Sequence, residues 1–168
     1  QDVLDEPFLH LGIDTIIGFM PKKLNNWEGK EAAGGFFWKK GRDSTGKATY
    51  QLQKGPFAKK IVATFKSIVP LLLTENYHII IDNVAFGAIE LANWKLALKN
   101  YSVLYIGVTA PLEILELREK QRGNRRIGSA REQYFTVHKN SKYDLEIDTY
   151  SYSTEENVGK IQRALSKK

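Results

Sequence analysis

The chain has no cysteine, so neither a disulfide framework nor a thiolate metal site is open to it. That absence fits a reducing compartment, and the expected location is cytoplasmic. No apolar run approaches the ~18 residues needed to cross a bilayer. The acidic opening Gln1-Asp2-Val3-Leu4-Asp5-Glu6 has neither the basic nor the apolar region of a secretory signal. The chain also does not open on Met, so further residues are expected upstream. Repeats, low-complexity tracts and a second domain are all missing from the pattern.

What is present is an ordinary globular balance: 168 residues, 42% hydrophobic and 26% charged. That is the length of one domain, and enough to bury a core. Lys and Arg number 25 against 19 Asp and Glu, a formal charge of +6. A basic excess points to a polyanionic partner such as a nucleotide phosphate, a nucleic acid or anionic lipid, or else to a solvated basic surface.

Apolar runs alternate with helical patterns. Phe8–Ile13 predicts a buried strand, Thr15–Met20 a helix ended by Pro21, and residues 21–35 a glycine-bearing loop. Phe36-Phe37-Trp38 and Thr49–Leu52 flank a turn-rich stretch and predict a hairpin insertion near 36–53. Phe57–Glu75 has helical spacing, with Pro70 expected to kink or split it. The β-branched run Tyr77–Asp82 predicts a strand covered on both faces, and Val103–Val108 a second of the same kind. Helices are expected over Gly87–Leu98, from Pro111 into Arg118, over Ser129–His138 and over Thr154–Leu165, with a last strand at Leu145–Asp148. The alternation argues for a layered α/β domain with a mainly parallel sheet.

Open parallel sheets place ligands beyond the carboxyl ends of their strands. Asp14 and Asp82 follow apolar strands there. Asp14 can accept the proton of a substrate hydroxyl during phosphoryl transfer, or cap the next helix. Asp82 can hold Mg²⁺, or simply begin a turn. The segment Arg118–Arg131 packs five arginines around two glycines. Guanidinium groups fork onto phosphate oxygens, so an arginine-rich lid near 118–131 suits a triphosphate. A solvated loop or a nucleic-acid patch is the alternative. Phe36, Phe37 and Trp38 either line an acceptor pocket or pack a core.

Gly41-Arg42-Asp43-Ser44-Thr45-Gly46-Lys47-Ala48 matches G-x-x-x-x-G-K, but Ala48 stands where Mg²⁺ needs a hydroxyl. A working phosphate loop follows a buried strand and opens a helix. Here Trp38-Lys39-Lys40 precedes and an alternating run toward Gly55-Pro56 follows, so the motif reads as a hairpin tip.

Leu11–Thr15, Met20-Pro21, Ile79–Val84, Gly107-Val108, Arg118-Glu119 through Arg122-Gly123-Asn124-Arg125, Val137-His138 and Tyr143–Thr149 resemble the chloramphenicol phosphotransferase family, in order and over nearly the whole chain. The resemblance implies a three-layer P-loop kinase-like α/β domain spanning residues 1–168. It implies ATP-dependent phosphorylation of a hydroxyl on a small molecule, such as a chloramphenicol-like antibiotic, with ATP and Mg²⁺ required. Asp14 matches the catalytic base. Arg118, Arg122 and Arg125 fall in the lid. Arg122 and Arg125 are the expected catalytic arginines, Arg118 and Arg126 are expected on the nucleotide, and Asp82, from its place at a strand end, on the metal. Neither nucleic acid nor membrane is an expected partner. The family pattern opens with a strand, a glycine loop and a first helix. Here Gln1-Asp2-Val3-Leu4 resembles the end of that helix, and the strand, the loop and most of the helix are lacking. Weak or absent ATP binding by these 168 residues is therefore expected. A non-catalytic binding relic is the alternative, and a basic nucleic-acid-binding protein a more distant one.

Overall fold

The computed structural model describes residues 3–32, 34–123 and 125–168. Gln1, Asp2 and Asn124, named above, lie outside the described residues. Contacts gather into two compact units, Gln1–Val84 and Ala85–Lys168, each taken by itself below.

In the first unit, Val3 is part of a turn and Leu4 has no regular structure, so this part of the expected helix end is not helical. Strand β1 (Phe8–Gly12) leads directly into helix α1 (Ile13–Gly18). A 3-10 turn at Lys22–Leu24 follows, then the antiparallel hairpin of β2 (Phe36–Arg42) and β3 (Ala48–Lys54). Gly55 stands before helix α2 (Pro56–Thr74), whose first residue is proline, a position where the missing N–H costs nothing. Strand β4 (His78–Asp82) pairs in parallel with β1, Phe8 opposite His78 and Gly12 opposite Asp82.

The core of this unit joins Met20, Phe36 and Ala58, with Ile17, Leu52, Ile61 and Val62 packed against them. Phe65 and Val69 of α2 are also buried. Each large apolar side chain so enclosed contributes about 1.5–3 kcal/mol. Pro70 does not split the helix: α2 runs through it to Thr74. Proline withholds one amide, and buried Val69 and Phe65 keep the preceding turn seated. The expectation for Ile79-Ile80-Ile81 also needs correction, since these residues are only half-buried rather than covered on both faces.

In the second unit, helix α3 (Gly87–Ala97) precedes strand β5 (Ile106–Thr109), helix α4 (Leu112–Arg122), helix α5 (Ser129–Thr136), strand β6 (Leu145–Asp148) and helix α6 (Thr154–Leu165). β5 and β6 are parallel, Ile106 opposite Leu145 and Thr109 opposite Asp148. β5 starts three residues later than its apolar run. The Tyr105 amide donates to the Asp144 carboxylate at 2.8 Å instead of entering a ladder. α6 begins with a capping box in which Ser153 and Glu156 each accept from the other's backbone amide.

Of the expected mainly parallel sheet, each unit holds one parallel pair, β1–β4 in the first and β5–β6 in the second, and the first also holds the hairpin. No described helix is long and apolar enough to cross a membrane.

Candidate functional site

The carboxyl rim of the first unit follows from its pairing. Because β1 and β4 run parallel and in register, Gly12 and Asp82 end the two strands side by side. The absent side chain matters here: a Cβ on Gly12 would stand 3.3 Å from the Asp82 carbonyl oxygen. The chain turns into α1 at once, which places Asp14 in the first turn of that helix, where the macrodipole favours a negative charge. Asp14 makes no capping hydrogen bond, so the capping role is not the one seen. It is exposed, and no hydrogen bond or ion pair to a described residue engages it. Asp82 is exposed too, and its carboxylate lies 3.8 Å from His10 Nε2.

No group of three or more His, Asp or Glu residues suited to a metal ion occurs among the described residues. That does not conflict with Mg²⁺, which keeps several waters and is commonly held by one or two carboxylates plus substrate phosphates. A single accessible carboxylate at a strand end, Asp82, fits that donor set.

The carboxyl rim of the second unit is built around Thr149. Its amide and hydroxyl both donate to the Thr109 carbonyl, at 2.9 and 3.1 Å, joining the ends of β5 and β6. Arg118 of α4 donates to the Thr149 hydroxyl and carbonyl, both at 2.8 Å. The guanidinium therefore sits at this rim with two of its donors already used. Next along the chain, the Asp148 carboxylate is held below the usual range, first by the Ser151 hydroxyl and then by the Tyr150 amide.

The five arginines do different things. Arg131 is buried, and its Nε donates to Glu116 at 2.6 Å, so it ties α5 to α4. Arg118 anchors at Thr149. Arg126 is half-buried and engaged. Arg122 and Arg125 are exposed and make no hydrogen bond or ion pair with described residues. These two guanidinium groups are available to a ligand.

One participant was not singled out from the sequence. Glu119 is only 4% exposed although it carries a carboxylate. It accepts from the Gly128 amide at 2.7 Å, the Ser129 hydroxyl at 2.6 Å and the Ala130 amide at 2.7 Å. The available signal was a lone acid in a basic segment, followed at nine to eleven residues by Gly-Ser-Ala at a helix start.

The G-x-x-x-x-G-K match is a hairpin tip joining β2 to β3. Its amides already serve an internal anion: Asp43 accepts from the Thr45 and Lys47 amides, both at 2.9 Å, and from the Thr45 hydroxyl at 2.7 Å. Phe36 is core, 1% exposed, and Trp27 stacks on it with ring centroids 6.3 Å apart. Of the two readings for Phe36, core packing is the one observed.

A hollow of about 350 Å³ is lined by Lys95, Lys99, Tyr105, Asp144 and Lys168 among others. It lies where the chain enters β5 and β6, the rim opposite Thr149 and Arg118. Open parallel sheets carry their chemistry at the other end, so this hollow is not the candidate site.

Three segments shared with the resemblance meet inside the second unit. Tyr143 packs over Gly107, and its hydroxyl lies 2.9 Å from His138 Nδ1. His138 Nε2 lies 3.1 Å from the Val108 carbonyl. A carbonyl only accepts, so Nε2 carries the proton and Nδ1 accepts from the tyrosine. These residues build the unit rather than its rim.

No individual curated protein matches the chain. The family model of the chloramphenicol phosphotransferase-like proteins matches residues 1–166, and the chain belongs to that family.

Proposed function

We propose that the chain belongs to an ATP-dependent phosphotransferase acting on a hydroxyl of a small molecule. The observation that carries this reading is Asp14: an accessible carboxylate with no hydrogen-bond or ion-pair partner among the described residues, at the head of α1 and beside the in-register ends of β1 and β4. Family membership, matched over residues 1–166, supports it.

Phosphoryl transfer asks a protein mainly to position groups and neutralise charge. Asp14 accepts the proton of the acceptor hydroxyl as its oxygen attacks the γ-phosphorus. The bond from that phosphorus to the bridging oxygen breaks, and ADP leaves with the electron pair. Arg122 and Arg125 neutralise charge on the phosphoryl oxygens, while Arg118 and Arg126 serve the nucleotide. Asp82 is the residue that would hold Mg²⁺, which when bound offsets the charge of the β- and γ-phosphates.

The glycine loop implied by the family pattern has no counterpart in the 168 residues, whose one G-x-x-x-x-G-K match is the hairpin tip. We therefore include in the reading that these residues by themselves hold Mg-ATP weakly. Calorimetric titration of the 168-residue chain, beside a version carrying an added strand, glycine loop and helix start, tests this. Tight binding by the shorter chain contradicts it. For the activity itself, the loop-bearing version is incubated with ATP and a panel of primary alcohols that includes chloramphenicol. Mass spectrometry then looks for a phosphorylated product. A product gain of one phosphoryl group on an alcohol supports the reading, and no product with any acceptor rejects it.

A further inference from the structure

Helix α5 has no local cap. The residue before it is Gly128, in the left-handed region at φ 98°, and it offers no side chain to the exposed amides. Four amides at a helix start lack intrahelical partners, and when buried they need an acceptor. Here a distant residue provides one. Glu119 Oε2 takes the Gly128 amide, and Oε1 takes both the Ser129 hydroxyl and the Ala130 amide, at 2.6–2.7 Å. Ser129 is 1% exposed and Glu119 is 4% exposed, so the cluster is shielded from water. Charge-assisted bonds of this length are strong, and the positive end of the helix dipole adds to them.

Glu119 stands in the last turns of α4, three residues before Arg122. Its three donors open α5, and Arg125 lies three residues before the first of them. A second tie, Glu116 to Arg131, runs between the same two helices. Arg122 and Arg125, without a hydrogen-bond or ion-pair partner among the described residues, thus stand at a junction tied by the buried Glu119 and the part-exposed Glu116 carboxylates. Left-handed glycines at 123 and 128 make the reversal possible.

We propose that Glu119 is a positioning residue. By capping α5 from α4 it fixes the backbone from which Arg122 and Arg125 reach a polyphosphate, so that the ligand does not have to order that backbone on binding. This rests on the phosphotransferase reading, because the polyphosphate is the ligand that reading supplies. Glu119 does not touch the ligand and acts through the two arginines. Its anion also occupies the α5 amides, so that helix start is an anchor rather than a phosphate site.

The test uses Glu119→Gln in the loop-bearing protein, with inorganic tripolyphosphate plus Mg²⁺ as the probe. Glutamine keeps the size but has one acceptor oxygen and brings an amide donor against the α5 donors. Two readouts are taken: hydrogen exchange at the Gly128 and Ala130 amides without ligand, and tripolyphosphate affinity by calorimetry. The expected result is faster exchange at both amides and an affinity weaker by about tenfold, since small misplacements of a charged group are costly. That weakening should shrink to less than about twofold when Arg122→Ala and Arg125→Ala are already present, because the effect runs through those side chains. Ser129→Ala, which removes only one of the three bonds, should give a smaller loss in the same direction and serves if Glu119→Gln does not fold. Unchanged affinity despite faster exchange overturns the proposal alone, as does an equal loss in both backgrounds. Failure of the unaltered protein to bind tripolyphosphate overturns the phosphotransferase reading, and this proposal with it.

Discussion

Gly107 offers a sharp test of how the second unit is built. An added Cβ would stand 2.5, 2.8 and 3.0 Å from Tyr143 Cδ2, Cε2 and Cγ, well inside contact distance. Gly107→Ala must therefore move the Tyr143 ring. That ring is not free to yield. It meets His138 edge-on with centroids 5.5 Å apart, donates its hydroxyl to His138, and through His138 is linked to the Val108 carbonyl. Overpacking costs about 1–3 kcal/mol, loss of the ring pair about 0.5–1.5 kcal/mol and loss of a hydrogen bond about 1 kcal/mol. The costs overlap, and a total near 3 kcal/mol is expected. At about 2–4 °C per kcal/mol for a chain of this size, the melting temperature should fall by roughly 6–12 °C. The assay is thermal unfolding followed by circular dichroism, with Gly18→Ala as the control. A Cβ at Gly18 meets nothing within 4 Å, so that change should be neutral or slightly stabilising. In a Tyr143→Ala background the Gly107→Ala cost should drop below about 1 kcal/mol. An equal cost in both backgrounds, or no cost at all, would refute the steric argument.

Lys47→Ala should leave Mg-ATP affinity in the loop-bearing protein within about twofold of the parent in calorimetry, because Lys47 sits on a hairpin tip whose amides serve Asp43. Gly35→Ala should be severely destabilising, by more than about 3 kcal/mol in urea unfolding. Its Cβ would fall 2.1 Å from the Leu24 carbonyl oxygen and 2.4 Å from Asn25 Oδ1, which accepts the Phe36 amide. Asp144 is held below the usual carboxylate range, chiefly by the Tyr105 amide, with burial opposing and Lys168 assisting. A depressed native pKa favours the ionised native state, so this stability is present above about pH 4 and lost as pH falls through the native pKa. Asp144→Asn should thus lower stability at pH 7 by less than about 1 kcal/mol, the Lys168 pair being well exposed, and the difference should vanish in acid unfolding curves near pH 2.

Local signals were the legible ones. Leu145–Asp148 and Thr154–Leu165 fall where the pattern of apolar residues places them. The hairpin tip was legible from what flanks the motif, since a strand after Lys47 is incompatible with a phosphate loop. Long-range ties were not legible. Five arginines in one segment look alike in sequence, yet distant partners tie Arg131 to Glu116 and two donors of Arg118 to Thr149. Glu119 is a lone acid in a basic stretch, and the three donors at the start of another helix that hold it are nine to eleven residues away. The apolar run at Ile79-Ile80-Ile81 predicted a covered strand, but coverage depends on what packs over each face, which one segment cannot specify. Asp14 was placed at a strand end correctly. That it caps nothing became visible only from the hydrogen bonds.

The central claim is that Asp14 takes the proton of the acceptor hydroxyl. Its most direct test is the single-turnover rate of phosphoryl transfer by Asp14→Asn in the loop-bearing protein at saturating Mg-ATP and acceptor. The account predicts a rate about 10²–10⁴-fold below the parent with nucleotide affinity unchanged; a rate within a few-fold of the parent would contradict it.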